Sequence, residues 1–138
     1  MTTTRGADEG VLDALMAAFL DAATNDGRAD RVDDVPAMFV SGAVVCNRTS
    51  SPPTITSVEG FVAPRRQILR DGTITGFVER ETWASTTVSG AIATRTSRYE
   101  KRGNRLGVPF EGRGVKVSTF VKVDGQWRFL SLAWEDEP

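Results

Sequence analysis

Apolar residues near the start of the chain recur at three- and four-residue steps, at Leu12, Leu15, Met16, Phe19, Leu20 and Ala23. That spacing stacks them on one side of a helix from Ala7 to Asn25, which Asn25-Asp26-Gly27 ends. A shorter helical stretch, Asp30 to Phe39, would bury Val32, Val35, Met38 and Phe39, with Pro36 disturbing its first half. Ala43-Val44-Val45-Cys46 reads as a short strand before the polar loop Asn47 to Thr54, whose Pro52-Pro53 forbids helix. Thr56 and Glu59 have capping-box spacing, so a third helix is expected from about Ser57 to Asp71, kinked at Pro64 and stopped by Gly72.

After Gly72 the pattern changes to alternating Val, Thr, Phe and Trp, which predicts strands at 74–88, 91–102, 113–123 and 126–135. Ser89-Gly90 and Asp124-Gly125 supply tight turns between them, and the glycine-rich segment Gly103 to Gly112 reads as a longer connection. Helices followed by antiparallel strands indicate an α+β domain with helices laid on one face of a sheet.

This order closes on Phe120-Val121-Lys122-Val123-Asp124-Gly125-Gln126-Trp127-Arg128-Phe129-Leu130. From about Asp8 to Glu135 it resembles the nuclear transport factor 2-like superfamily, especially its SnoaL-like and other small bacterial members. The resemblance implies a cone-shaped, bent antiparallel sheet with three N-terminal helices packed on its concave face, and an apolar interior that holds a small molecule. Members include isomerases, dehydratases, cyclases and epoxide hydrolases, as well as proteins without a known reaction, so the fold does not give the function. Some catalytic members carry a His–Asp pair or an Asp–Arg–Asp set in the cavity; this chain has no histidine for the first, and no position matches the second.

Composition narrows the function classes. A chain of 138 residues, 40% hydrophobic, is the size of one domain spanning 1–138, with residues 1–7 read as a disordered tail. Basic and acidic residues nearly cancel, 17 against 18, so no global field gathers nucleic acid or anionic lipid. No apolar run approaches the roughly 20 residues of a membrane-spanning helix, and the start MTTTRGADEG lacks a secretory apolar core. A cytoplasmic protein is the expectation, and the glycosylation pattern Asn47-Arg48-Thr49 is then a chance match. The single Cys46 forms no internal disulfide. Without histidine, and without a cysteine cluster or a phosphate-cradling loop, neither a metal nor another cofactor is expected. Any catalysis would rest on Asp, Glu, Tyr, Lys or Arg.

Pairing across a Ser89-Gly90 turn sets Glu81 opposite Arg98, Arg80 opposite Tyr99 and Glu79 opposite Glu100. One face then carries Arg80, Arg95 and Tyr99 among small Thr, Ser and Ala residues. The other carries Phe77, Glu79, Glu81, Trp83 and Arg98, and only one of the two would line the cavity. Glu79 and Glu81, about 6 to 7 Å apart on a strand, suit an acid and a base, with Tyr99 as a donor. The competing reading pairs Glu81 with Arg98 at a solvated or dimer-side edge. Arg80 or Arg95 with Tyr99 would instead bind an anionic group.

The ligand-binding candidates are Met16, Phe19, Phe39, Phe61, Arg80, Arg95, Tyr99 and Trp134; the catalytic candidates are Glu79, Glu81 and Tyr99. Of Arg65 and Arg66, one could enter the cavity mouth, and the basic group Arg98, Lys101, Arg102 and Arg105 reads as a solvated hairpin tip. Across the Asp124-Gly125 hairpin, Val115, Val117, Thr119, Val121, Leu130, Leu132 and Trp134 share one face, and Phe120, Trp127, Phe129 and Ala133 the other. Both are apolar, so a homodimer through sheet faces is expected. Three readings follow: a domain binding a small hydrophobic or amphipathic molecule; a cofactor-independent isomerase, dehydratase or hydrolase using a strand carboxylate; and a structural dimerisation module with a filled cone.

Overall fold

The computed structural model describes residues 6–138. Helix α1 (Ala7–Ala22) is followed by a 3-10 helix (Val32–Met38), strands β1 (Phe39–Asn47) and β2 (Thr54–Thr56), helix α2 (Val58–Arg70), and strands β3 (Ile74–Ser89), β4 (Ile92–Arg105), β5 (Val108–Val123) and β6 (Gln126–Asp136). The tail expected over residues 1–7 falls, for residues 1–5, outside the described residues, and Ala7 already belongs to α1. No described helix is long and apolar enough to cross a membrane.

The strands form one six-stranded sheet in the order β2-β1-β6-β5-β4-β3. It is mixed rather than antiparallel, because β1 runs parallel to β6 while every other pair is antiparallel. Only a long crossover can join parallel neighbours, and here the connection runs through α2 and four strands, β2, β3, β4 and β5. The sheet is curled but not closed: α2 touches β1 and β2 at one edge and β3 at the other, and α1 touches both β3 and β6. Phe19 of α1 meets Phe39 and Phe129, with ring centroids 5.8 and 5.2 Å away, and Phe120 joins Phe129 at 4.7 Å. Leu12, Met16 and Val45 complete this buried cluster.

Several local expectations change. Phe39 leaves the helical stretch and opens β1, and β2 was not foreseen. The cap of α2 is Ser57, whose hydroxyl accepts from the Gly60 amide at 3.1 Å, and the helix runs on through Pro64. The segment 103–112 is no loop. β4 and β5 meet at a two-residue turn, Leu106-Gly107, with φ of 50° and 81°, the left-handed geometry that joins twisted strands tightly. The glycines beside it are strand residues facing bulk: Gly103 lies opposite Phe110, Gly112 opposite Lys101 and Gly114 opposite Tyr99. They make room for side chains inside the curl.

Candidate functional site

Three irregularities of the sheet decide which side chains point inward. In β3, Gly76 and Phe77 together oppose the single residue Gly103, and Gly76 takes φ 59° to make the bulge. Further along, Glu81 pairs with Tyr99 but Trp83 pairs with Arg98, so Thr82 is extra. In β6, Leu130 is extra between Phe129, opposite Phe120, and Ser131, opposite Thr119. Each extra residue reverses the alternation beyond it.

The expected hairpin pairing is corrected, because the turn is Gly90-Ala91 rather than Ser89-Gly90 and Thr82 is extra: Glu79 lies opposite Lys101, Arg80 opposite Glu100 and Glu81 opposite Tyr99. The two β3–β4 faces are not alternatives. Glu79 and Glu81 point inward together with Arg95 and Tyr99, while Arg80 and Trp83 stay exposed outside. Likewise Leu132 and Trp134 share the inner side with Phe120, Trp127 and Phe129.

Between the helices and the inner sheet face lies a cavity of about 270 Å³. Its apolar lining includes Phe19, Leu20, Val35, Phe61, Leu69 and Leu132. One wall is polar, formed by Glu79, Tyr99, Lys101 and Lys116 from β3, β4 and β5, with Arg65 reaching in from α2. Lys116 Nζ stands 2.8 Å from Glu79 Oε2, both side chains nearly buried at 6% and 14% exposure. The contact is one of charge, because Glu79 Oε2 has no aligned hydrogen bond. The same ammonium lies 3.9 Å over the Tyr99 ring and 5.5 Å from that of Trp134.

Tyr99 donates its hydroxyl to Asp136 Oδ1, and Lys101 Nζ holds Asp136 Oδ2 at 2.8 Å. Burial, the hydrogen bond and the nearby carboxylate charges push the Tyr99 hydroxyl well above its ordinary value, so it remains a donor. Burial pushes the Asp136 carboxyl up, yet the hydrogen bonds from Lys101 and Tyr99 outweigh it and hold the group below its usual range. Arg65 lies with its guanidinium carbon 3.8 Å over the Phe61 ring and donates to the Phe61 carbonyl at 3.0 Å. Burial brings its pKa down to about 10, against a smaller opposing pull from Glu79. Such a wall can hold an anionic or hydrogen-bonding head while the rest of a ligand sits on apolar surface.

A second polar set lies deeper in the sheet. Arg95, 3% exposed, grips Glu81 through Nη2–Oε1 at 2.5 Å and Nε–Oε2 at 3.0 Å. Its Nη1 reaches Asp13 Oδ1 and Thr86 Oγ1, both at 2.7 Å. An acid–Arg–acid set thus forms from three elements, tying α1 to β3 and β4, but none of its members lines the cavity.

Of the candidates read from sequence, Phe19, Phe61, Glu79, Tyr99 and Trp134 line the cavity. Met16 and Phe39 do not, since both pack into the aromatic core. Arg95 and Glu81 are spent on each other, and Glu81 does not pair with Arg98. Arg80 points outward to Glu100 at 3.0 Å. Lys101 and Arg105, read as a solvated tip, border the cavity, as do Lys116 and Phe110. The signal for Lys116 was its alternation with Val115 and Val117, which sets it on the same face as Phe120. No group of three or more metal-ligating side chains forms among the described residues.

No family model matches the chain, and no curated protein does. Solved structures do. A conserved protein from Planctomyces limnophilus DSM 3776 superposes with a TM-score of 0.81 at 17% identity, over 97% of this chain and 99% of that one. Hexachlorocyclohexane dehydrochlorinase LinA-type3 from Novosphingobium barchaimii LL02 gives 0.78 at 15%, over 96% and 88%. An NTF-2 like protein from Silicibacter pomeroyi DSS-3 gives 0.67 at 18%, over 98% and 100%. Helices bridging the two edges of a curled six-stranded sheet, matched over nearly the full length of these chains, give this protein the nuclear transport factor 2-like fold.

Proposed function

We propose that this chain is a small-molecule-binding domain whose pocket is the cavity between α1, α2 and the inner face of a cone-shaped sheet. The observation that carries this reading is the cavity itself: about 270 Å³ of space, mostly apolar, on which a few polar groups converge. The volume corresponds to roughly nine waters at about 30 Å³ each, enough for a ligand with one ring and a short chain. A filled structural module would not leave it. The test is calorimetric titration with 4-phenylbutanamide, a neutral compound of that size. Saturable binding that is lost in Ala23→Phe, which fills the cavity, is expected; no binding of this amide or of its carboxylate analogue at millimolar concentration refutes the reading.

A second reading, cofactor-independent proton transfer, has one specific support. Glu79 stands in the cavity wall with an oxygen that has no aligned hydrogen bond. One structural neighbour is by name a dehydrochlorinase. Deuterium uptake at the acidic C–H positions of 4-phenylbutan-2-one, present with the native protein and absent with Glu79→Gln, would support this reading. Equal uptake by both proteins ends it.

The outer sheet face supports the homodimer. Trp83, Ile92 and Val117 are each about half exposed, among threonines and serines with few charges. Sedimentation should give a dimer at micromolar concentration that Trp83→Lys dissociates. A monomeric native protein contradicts it.

A further inference from the structure

The polar wall carries more positive than negative charge. Lys116 is matched by Glu79 and Lys101 by Asp136, each at 2.8 Å. Arg65 has no carboxylate within ion-pair distance among the described residues, and Glu79 acts on it only from further away. Three cations of the wall therefore face two carboxylates, and Arg105 adds an exposed positive charge at the cavity border. A guanidinium offers five N–H donors, and the Phe61 carbonyl takes one. Arg65 and Lys116 also flank the same indole, 5.3 and 5.5 Å from the Trp134 ring. The surplus charge and the spare donors thus meet at one place on the wall.

Resting on the pocket reading above, we infer that the ligand is an amphipathic monoanion, an apolar body with a carboxylate head, and that Arg65 binds the head. A carboxylate matches the planar fork of a guanidinium with two parallel hydrogen bonds. Arg65 is the half-buried cation of the wall without a carboxylate of its own, and a monoanionic head would match its single charge. A neutral ligand would leave the guanidinium desolvated and unpaired, a state that already depresses its proton affinity. Phe61 and Phe19, with ring centroids 5.9 Å apart in the lining, supply apolar surface for the body.

The test compares 4-phenylbutanoate with the isosteric 4-phenylbutanamide by calorimetry at pH 7. The native protein should bind the carboxylate about tenfold tighter or more, as one charge-assisted contact made out of water would give. Arg65→Met should erase this preference, the carboxylate affinity falling to about that of the amide. Arg65→Lys, which keeps charge but not the fork, should retain only part of it and serves if the methionine variant fails to fold. Equal affinity for the two probes, or a preference that survives intact in both variants, overturns the inference while leaving the pocket in place. Binding of neither probe removes both.

Discussion

Replacing Lys116 by methionine isolates the energetics of the polar wall. The substitution keeps the volume of the side chain and its contact with the Tyr99 and Trp134 rings but removes the charge 2.8 Å from Glu79 Oε2. At that distance and an effective dielectric of about 20 the attraction is roughly 6 kcal/mol, part of which only offsets the cost of taking both charges out of water. Breaking a buried pair by deleting one partner costs about 3–5 kcal/mol. Glu79 keeps 14% exposure, so the loss should fall near the lower end, about 3 kcal/mol. Urea unfolding followed by tryptophan fluorescence measures it. In the double variant Lys116→Met with Glu79→Gln no charge is orphaned, and stability should return to within about 1 kcal/mol of native. A single-variant loss below about 1 kcal/mol, or a double variant no more stable than the single one, would show that this pair is solvated and the wall wrongly described.

Other expectations follow from the same geometry. A Cβ on Gly114 would collide with the Glu135 carbonyl and the Tyr99 hydroxyl and lie 2.7 Å from Tyr99 Cζ; Gly114→Ala should cost about 2–3 kcal/mol in urea unfolding and weaken ligand binding. Arg80→Ala removes only an exposed pair with Glu100 and should change stability by less than about 0.5 kcal/mol. Because the folded-state pKa of Asp136 lies below its ordinary 3.8, the unfolded chain takes up that proton first as the solution is acidified. The Asp136 contribution is full above the ordinary value and is lost as pH falls through the folded one. Asp136→Asn should therefore flatten the stability decline below about pH 4, and an unchanged slope would contradict the Lys101–Asp136–Tyr99 arrangement.

Much of the fold was legible because periodicity reports burial directly. The spacing of Leu12, Met16 and Phe19 marks α1, and the alternation after Gly72 marks the four long strands. The site was less legible because side-chain direction on a strand depends on parity, and a single extra residue inverts it. Thr82 looks like any β-branched strand residue, yet as a bulge it brings Glu79 and Glu81 to the same side as Arg95 and Tyr99. Only Gly76, of the three irregularities, carries a local signal, its positive φ. The glycines at 103 and 112 suggested a loop by composition, whereas their role, with that of Gly114, is to admit Phe110, Lys101 and Tyr99. Asp136 and Lys101 are distant in sequence, and nothing local announced their pairing.

Cysteine accessibility along β3 tests the central claim, the inward parity of Glu79 and Glu81, most directly. On a Cys46→Ala background, Glu79→Cys, Arg80→Cys and Glu81→Cys are labelled with a maleimide under native conditions. The structure places Arg80 at 72% exposure and the two glutamates at 14% and 18%. The thiol at 80 should react at nearly the rate of an unfolded chain, and those at 79 and 81 at least about tenfold more slowly, since access to them needs local opening. Equal rates at all three positions, or a slow thiol at 80 between fast ones at 79 and 81, would mean that the bulge at Thr82 does not set the cavity wall.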